Sequence, residues 1–545
     1  MGLPSDLQTP DINDVRPFIM LLYIQVPRLH WRRGYQWGVQ VTGLDSIDHV
    51  VLVMLENRSF DHMLGFLYPK SGNFDGLDGT ESNLAADGSE VKVFPITPDI
   101  QNAYYFPLAN PTEGYKATND QLFSSDTPPA SGVAANDGFV TSFARELQHP
   151  AHPLDPKLVG AVPASIMGMY AAETLSVLSG LAKGFAVCDG WFASVPTQTF
   201  PNRAFAVAGT SLGYVDNSAR GLPAFNTPSV FGRLADAGQT WKIYGYSGEP
   251  LTAHDFPDTV QPGPNGQVVS GFARFQSDAA NGTLAALSYI EPEWATHPRS
   301  PHQPDDGHNW HLENDQHPIS NLAIGEKLLY DVYQALRSNG VAWEKTLLII
   351  TYDEHGGNYD HVHPPTGAIA PDNVIGSSGF DFTRFGVRVP AVLVSPLIPA
   401  GTILHAPSDG PPFDHTSIIA TLRARFGIGA LGSRDAAAPN VGSILTLATP
   451  RTDDPLAGLQ PPTAPDPVLV PGSPPVGAAP SSFLEANALA AAALPVPTDP
   501  IADPEAKVQT LTTAAEQYNF IQERRAAWRA AGRPGVARAS DSGQG

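Results

Sequence analysis

Cysteine is nearly absent from this chain of 545 residues, which carries only Cys188. No intrachain disulfide can form, so stability must come from a packed core, and an oxidising destination is not implied. Cys188 ends the apolar run 185–188 and reads as a small core residue. Positive charge is scarce too. Lys and Arg number 32 against 54 Asp and Glu, for a net charge of −22. Such a surface repels nucleic acid and anionic membranes, so no nucleic-acid partner is expected. A phosphate-bearing ligand would need local positive charge from a metal ion or a few placed Arg and His residues. Long hydrophobic runs are missing as well, so no transmembrane segment is expected. The apolar stretch 18–26 is short, and Arg32 and Arg33 follow it. An export signal has the opposite order, and the expectation is a cytoplasmic chain.

What is present points to a globular protein: 42% hydrophobic and 16% charged residues. Four segments divide it. Residues 1–44 read as an N-terminal arm and 45–447 as the main domain. A linker rich in Pro and Ala covers 448–503, and an amphipathic helix over 504–531 begins the tail 504–545. Buried strands are predicted at 47–55, 185–188, 241–244, 284–290, 346–350 and 389–395. They alternate with helices over 161–184, 201–208, 319–336 and 417–426, which places the chain in the α/β class. Residues 68–138 are rich in Gly, Pro, Asn, Asp and Ser and read as long surface loops that cover a site.

Two strands end in chemistry. The run at 346–350 delivers Asp353, Glu354 and His355 onto Gly356-Gly357. In an open α/β sheet, ligands sit beyond such carboxyl ends. Adjacent carboxylates repel unless a cation lies between them. The strand at 47–55 ends in Glu56-Asn57, oxygen ligands for a hard or borderline cation, and Ser59 caps a helix from Phe60. Thr197 and Thr199 precede Pro201 at a helix start, where free N–H groups favour an anion and a hydroxyl can attack phosphorus. The tract 302–317 holds four histidines, but its spacing fits no zinc-finger pattern. Asp414 or Thr416 reads as a helix cap, and His415 as a surface residue.

Five motifs recur together in one order: ENRSFDH at 56–62, PTQTFPNR at 196–203, NDQHP at 314–318, YDEHGGNYDHV at 352–362 and FDHTS at 413–417. With them the chain resembles the bacterial phospholipase C and acid phosphatase family of phosphoesterases, over about residues 45–430. The resemblance implies a three-layer α/β/α sandwich, alkaline-phosphatase-like, with long loop insertions, followed here by a C-terminal helical tail. It implies a divalent metal ion (calcium, magnesium, manganese or zinc) held by Glu56, Asn57, Thr199, Asp353 and Glu354. Thr199 is then the nucleophile in preference to Thr197, and His317 the second catalytic residue. Asn202, Arg203, His254 and His355 are expected to bind substrate. One departure stands out: Glu113, in NPTEGYKATNDQLF, occupies the place of a family histidine and brings repulsion where a phosphate would sit. Relatives are commonly exported.

The implied activity is metal-dependent hydrolysis of a phosphodiester, including a phospholipid, through a phosphothreonine intermediate. A threonine hydroxyl needs activation, and a cation that binds it supplies that activation. The alternatives are a phosphomonoesterase and a non-catalytic protein that binds phosphate esters on the same scaffold. Oligomeric state has no signature in the sequence.

Overall fold

The computed structural model describes residues 43–218, 220–298 and 310–535. Most of the expected N-terminal arm and the first half of the histidine tract therefore lie outside the described residues.

The centre is an eight-stranded sheet. Its strands are β1 (His49–Leu55), β2 (Ala186–Cys188), β3 (Trp241–Gly245), β4 (Gly266–Ser270), β5 (Leu287–Glu291), β6 (Thr346–Tyr352), β7 (Ala391–Val394) and β8 (Thr402–Leu404). Across the sheet they run β8-β2-β7-β6-β1-β5-β3-β4. The pairs β6-β1, β1-β5, β5-β3, β3-β4 and β2-β8 are parallel, while β7 is antiparallel to both its neighbours. All seven residues of β6 and six of seven in β1 are buried, as expected of strands covered on both faces. Each such Val, Leu or Ile contributes about 1.5–3 kcal/mol.

Two groups of helices supply the cover. Ser176–Gly184 and Phe272–Asn281 both pack on Leu322–Arg337, and Val230–Asp236 and Thr416–Phe426 both pack on Thr199–Ala208. The result is the expected α/β/α sandwich. No helix among the described residues is long and apolar enough to cross a membrane.

Register decides where the chemistry lies. Leu55 pairs with Tyr352, so Glu56 and Asp353 leave the sheet side by side. Because β7 runs the other way, it enters the sheet where β6 leaves it, with Ala391 opposite Thr351. Arg388, just before β7, thereby reaches the same edge.

Three expectations need correction. The segment 161–184 is not one helix: Pro163–Met167 is a 3-10 turn, Gly168–Tyr170 a short strand, and only Ser176–Gly184 is α-helical. Its apolar residues are core-facing in all three, which mimics a helical period. Residues 68–138 are not all loop, since Tyr115–Phe123 forms a helix. The tail helix is two helices, Pro504–Gln509 and Ala514–Ala530, because Thr513 caps a new one. Residues 448–503 lie on the body. Val159 N–H donates to the Val468 carbonyl, and a further helix covers Ser482–Ala492.

Candidate active site

Beyond the carboxyl ends of β1 and β6, acids crowd together. Asp353 accepts from the Asn57 N–H at 3.1 Å and from its own neighbour's N–H, that of Glu354, at 2.8 Å. Asn57 adopts a left-handed backbone, φ 59°, which turns its side chain back over the sheet edge. Its Nδ2 donates to Glu113 at 2.6 Å, and its Oδ1 lies 3.4 Å from the Thr199 hydroxyl. Glu56 is held by its backbone, which donates to the Asp315 carbonyl at 2.8 Å. The glycines of the turn are obligatory. A Cβ on Gly356 would lie 2.2 Å from the Asn57 carbonyl oxygen, and one on Gly357 would lie 2.7 Å from that of Thr112.

The charges do not balance. Glu56, Asp315, Asp353 and Glu354 are buried, Glu113 is largely so, and Arg203 answers them with one guanidinium. Burial, then Asp353 and Asp315, raises the Glu56 carboxyl well above its usual range. Burial, then Glu113 and Asp353, does the same to Glu354. Burial also raises Asp353, against the pull of Arg203, and moves Asp315 up to about 6. Both oxygens of Glu56 and Oε1 of Glu354 have no hydrogen-bond partner. Orphaned buried carboxylate oxygens cost several kcal/mol, about 3–5 when a charge stays uncompensated. An oxygen-rich, over-charged group of this kind fits a divalent cation.

Thr199 begins the helix Thr199–Ala208 and is 1% exposed. Thr197 is committed elsewhere, its hydroxyl donating to the Val215 carbonyl at 2.6 Å. The Thr199 hydroxyl has its contact at Asn57 instead. The Phe200 N–H, expected to face an anion, is instead taken by Asn217 Oδ1 at 2.7 Å. His317 sits beside the cluster, its Nε2 3.9 Å from Glu113 Oε2. With Asp315 and Trp294 it lines a small cavity that the tail closes at residues 477–481.

The four residues expected to bind substrate are placed otherwise. Asn202 is spent on backbone: its Oδ1 accepts from Val195 N–H, and its Nδ2 donates to the Val195, Thr197 and Gln198 carbonyls. It clamps the turn that carries Thr199. Arg203 bonds Asp353 at 3.0 Å, the Tyr289 hydroxyl at 3.0 Å and the carbonyls of Met54 and Leu55. It therefore ties β1, β5 and β6 together behind the acids. His355 is locked between Gln121 at 2.8 Å and Glu354 at 3.1 Å, and burial lowers it to about 3. A neutral ring there fixes the Glu354 carboxylate. His254 is not brought to the acids. It packs against Trp528 and Glu249, where burial, then Arg525, holds it well below its usual value.

These observations have a counterpart in known proteins. Residues 47–429 match the phosphoesterase family. This chain belongs to that family. It is a phosphoric ester hydrolase, and several of its relatives bear phospholipase names. The non-specific phospholipase C1 of Arabidopsis thaliana is 34% identical over 421 residues, covering 75% of this chain and 73% of that protein. Phospholipase C B of Mycobacterium tuberculosis is 29% identical over 462 residues, covering 77% and 81%. Among solved structures, a protein in the alkaline phosphatase superfamily from Vibrio parahaemolyticus is similar at 13% identity. That match has a TM-score of 0.29 and covers 49% of this chain and 65% of that one.

In this phosphoesterase, sequence reasoning missed several groups. Glu113 was seen as a departure, yet it bonds Asn57, Gln198 and Ser482 at once. Asp315 has no mark in the sequence beyond its place in NDQHP. His415, read as a surface residue, is fully buried and bonds the Asp353 carbonyl at 2.6 Å, with burial lowering it to about 4. Ser482 arrives from the tail, 369 residues beyond Glu113, and bonds it at 2.8 Å. The one signal for Asp315 and His415 was their place in the recurring motifs; Ser482 had none.

A second acidic group lies near. Asp61, Asp360 and His361 could offer ligand atoms within 4.8 Å of one another. Arg388 already fills that role, bonding Asp61 and Asp360 at 2.9 Å each.

Proposed function

We propose that this phosphoesterase hydrolyses a phosphodiester of the phospholipase C type, with Thr199 as nucleophile, in a site that holds a divalent metal ion. The observation that supports this most is the set of orphaned oxygens on Glu56 and Glu354, next to the Thr199 hydroxyl at its Asn57 contact. Glu56, Asn57, Asp353 and Glu354 would hold the ion together with Thr199. A bound cation lowers the pKa of a coordinated hydroxyl and neutralises charge on phosphoryl oxygens.

The remaining work falls to the chain. Asn202 fixes the turn so that Thr199 points at the acids. Arg203 holds Asp353 in place and opposes the effect of burial on its carboxyl. Attack of the Thr199 oxygen on phosphorus would form a phosphothreonine and break the bond from phosphorus to the alcohol oxygen; the Thr199 hydroxyl proton passes to a neighbouring carboxylate, and the departing alkoxide takes a proton of its own. His317, beside the cavity, would donate it. Water then cleaves the phosphothreonine.

Diester is preferred over monoester on one ground. Glu113 sets a carboxylate beside the site. A monoester carries about −1.5 to −2 charge at pH 7, and a diester carries one. Repulsion by Glu113 therefore disfavours the monoester more.

The test is turnover of phosphatidylcholine to diacylglycerol and phosphocholine, run beside an aryl phosphate monoester. Diester hydrolysis should dominate, and Thr199→Ala should lose on the order of 10⁴-fold or more. Denaturing an enzyme mixed with headgroup-labelled substrate should trap the label on Thr199. Unchanged ester affinity with no turnover in the wild type would point to a binding protein instead.

A further inference from the structure

The helix Ser482–Ala492 starts at the site and leads away from it. Ser482 bonds Glu113 and accepts from Gln198, the residue before Thr199. Glu485 and Leu489, three and seven residues on, share its face of the helix. Both line a groove of about 750 Å³ between residues 152–154 and the two last helices. Its apolar residues are Leu154, Leu489, Val508 and Leu511.

The groove adjoins the cavity at His317. Asp155 and Pro156 line that cavity, while His152, Pro153 and Leu154 line the groove, so one short segment walls both. Asp155 fixes this segment by accepting from the His152 N–H at 3.1 Å. On the other side, Ser481 borders the cavity and Glu485 the groove, one helical turn apart. An ester whose phosphorus lies at Thr199 can send its alcohol along this face. The ionisable residues at the groove are His152, Glu485 and Glu505; the two carboxylates reject an anionic continuation, and the apolar lining of Pro153, Leu154, Leu489, Val508 and Leu511 suits an uncharged hydrocarbon chain.

We propose that this groove binds an acyl chain of the substrate's alcohol, so that the C-terminal tail selects lipid esters over water-soluble ones. The proposal rests on the phosphodiesterase reading for its substrate. It differs from that reading in assigning selectivity to residues of the tail, which the motifs do not include. Leu489 is half-buried on the helix and can be changed without emptying the core.

The test separates the two. Calorimetric titration of the Thr199→Ala protein compares dihexanoylphosphatidylcholine, below its micellar concentration, with glycerophosphocholine. The acylated ligand should bind at least tenfold tighter. Adding Leu489→Glu, or separately Leu511→Glu, should erase that difference while circular dichroism and Tm stay unchanged. Equal affinities for the two ligands without a groove substitution, or a difference that survives both substitutions, would overturn the proposal. In the otherwise wild-type enzyme, Leu489→Glu should raise KM for the lipid and leave cleavage of a bis-aryl phosphate diester as it was. A wild-type enzyme that cleaves neither diester defeats the phosphodiesterase reading, while the titration still decides the groove.

Discussion

Two acidic clusters grow from the same two segments of this molecule, and they are finished differently. One gathers Asp61, Asp360 and His361; the other gathers Glu56, Asp353 and Glu354. Each draws on 56–61 after β1 and on 353–361 after β6. In the first, every carboxylate oxygen is answered. Asp61 takes Arg388 and His361, and Asp360 takes Arg388, the Val362 N–H and the Asp61 N–H. Burial works against charge on His361, yet its bond to Asp61 carries it up to about 10. In the second, Arg203 reaches Asp353 and stops, and three oxygens stay orphaned. The first cluster carries its own cation as a side chain. The second has the same need with no side chain to meet it. Similar acids a few positions apart are thus a fully paired structural staple in one case and, in the other, the group proposed above as the reactive centre, and the location of an arginine separates the two.

The comparison can be broken by substitution. The largest effect should follow Glu354→Gln, with turnover down about 10²–10³-fold. In chelator the same change removes a repelled charge, so the variant should melt above the wild type. Chelation itself should lower the wild-type Tm by mass action and lower that of the variant less. A variant that melts lower than wild type in chelator would mean that Glu354 is a staple after all. Next in size is Arg388→Met, which strands Asp61 and Asp360 against each other. Denaturant unfolding should show a loss of about 3–5 kcal/mol, with turnover per folded molecule largely kept. A stability loss below about 1 kcal/mol would erase the contrast between the clusters.

The smallest effect concerns pH. His361 has a folded pKa of about 10, raised from an ordinary value near 6.5. Its contribution is therefore complete below about 6.5, declines as pH rises, and is gone above about 10. In His361→Gln, stability measured by urea unfolding between pH 6.5 and 10 should be flatter than in the wild type. The two proteins should differ by about 1–2 kcal/mol at the acid end of that range. Equal slopes would show that His361 is not held charged.

How far the sequence foretold all this follows from what each part depends on. Strands such as 346–352 announce themselves because a continuous apolar run has few other uses. The acids at their ends were legible for the same reason, since a strand's end is a position along the chain. What could not be read was partnership across the chain. Arg203 looked ready for a phosphate, because nothing local reveals that Asp353 and two carbonyls already hold it. Asn202 looked like a ligand and is a clamp. The 161–184 stretch deceived because core-facing residues in a 3-10 turn and a strand fall by chance on a helical period. Glu113 read as a repulsive misfit. Its three bonds come from residues 57, 198 and 482, which only tertiary structure brings together.

That last set of bonds has a consequence for how the protein comes into being. Glu56 lies near the start of the fold, its neighbouring acids arrive with β6, and Ser482 closes on Glu113 only when the tail is laid down. Contacts of such long reach form late in folding. During synthesis the chain must therefore be made as far as residue 482 before Glu113 gains its last partner. An early stop or a nicked tail would accordingly leave Glu113 without the partner that comes to it from Ser482.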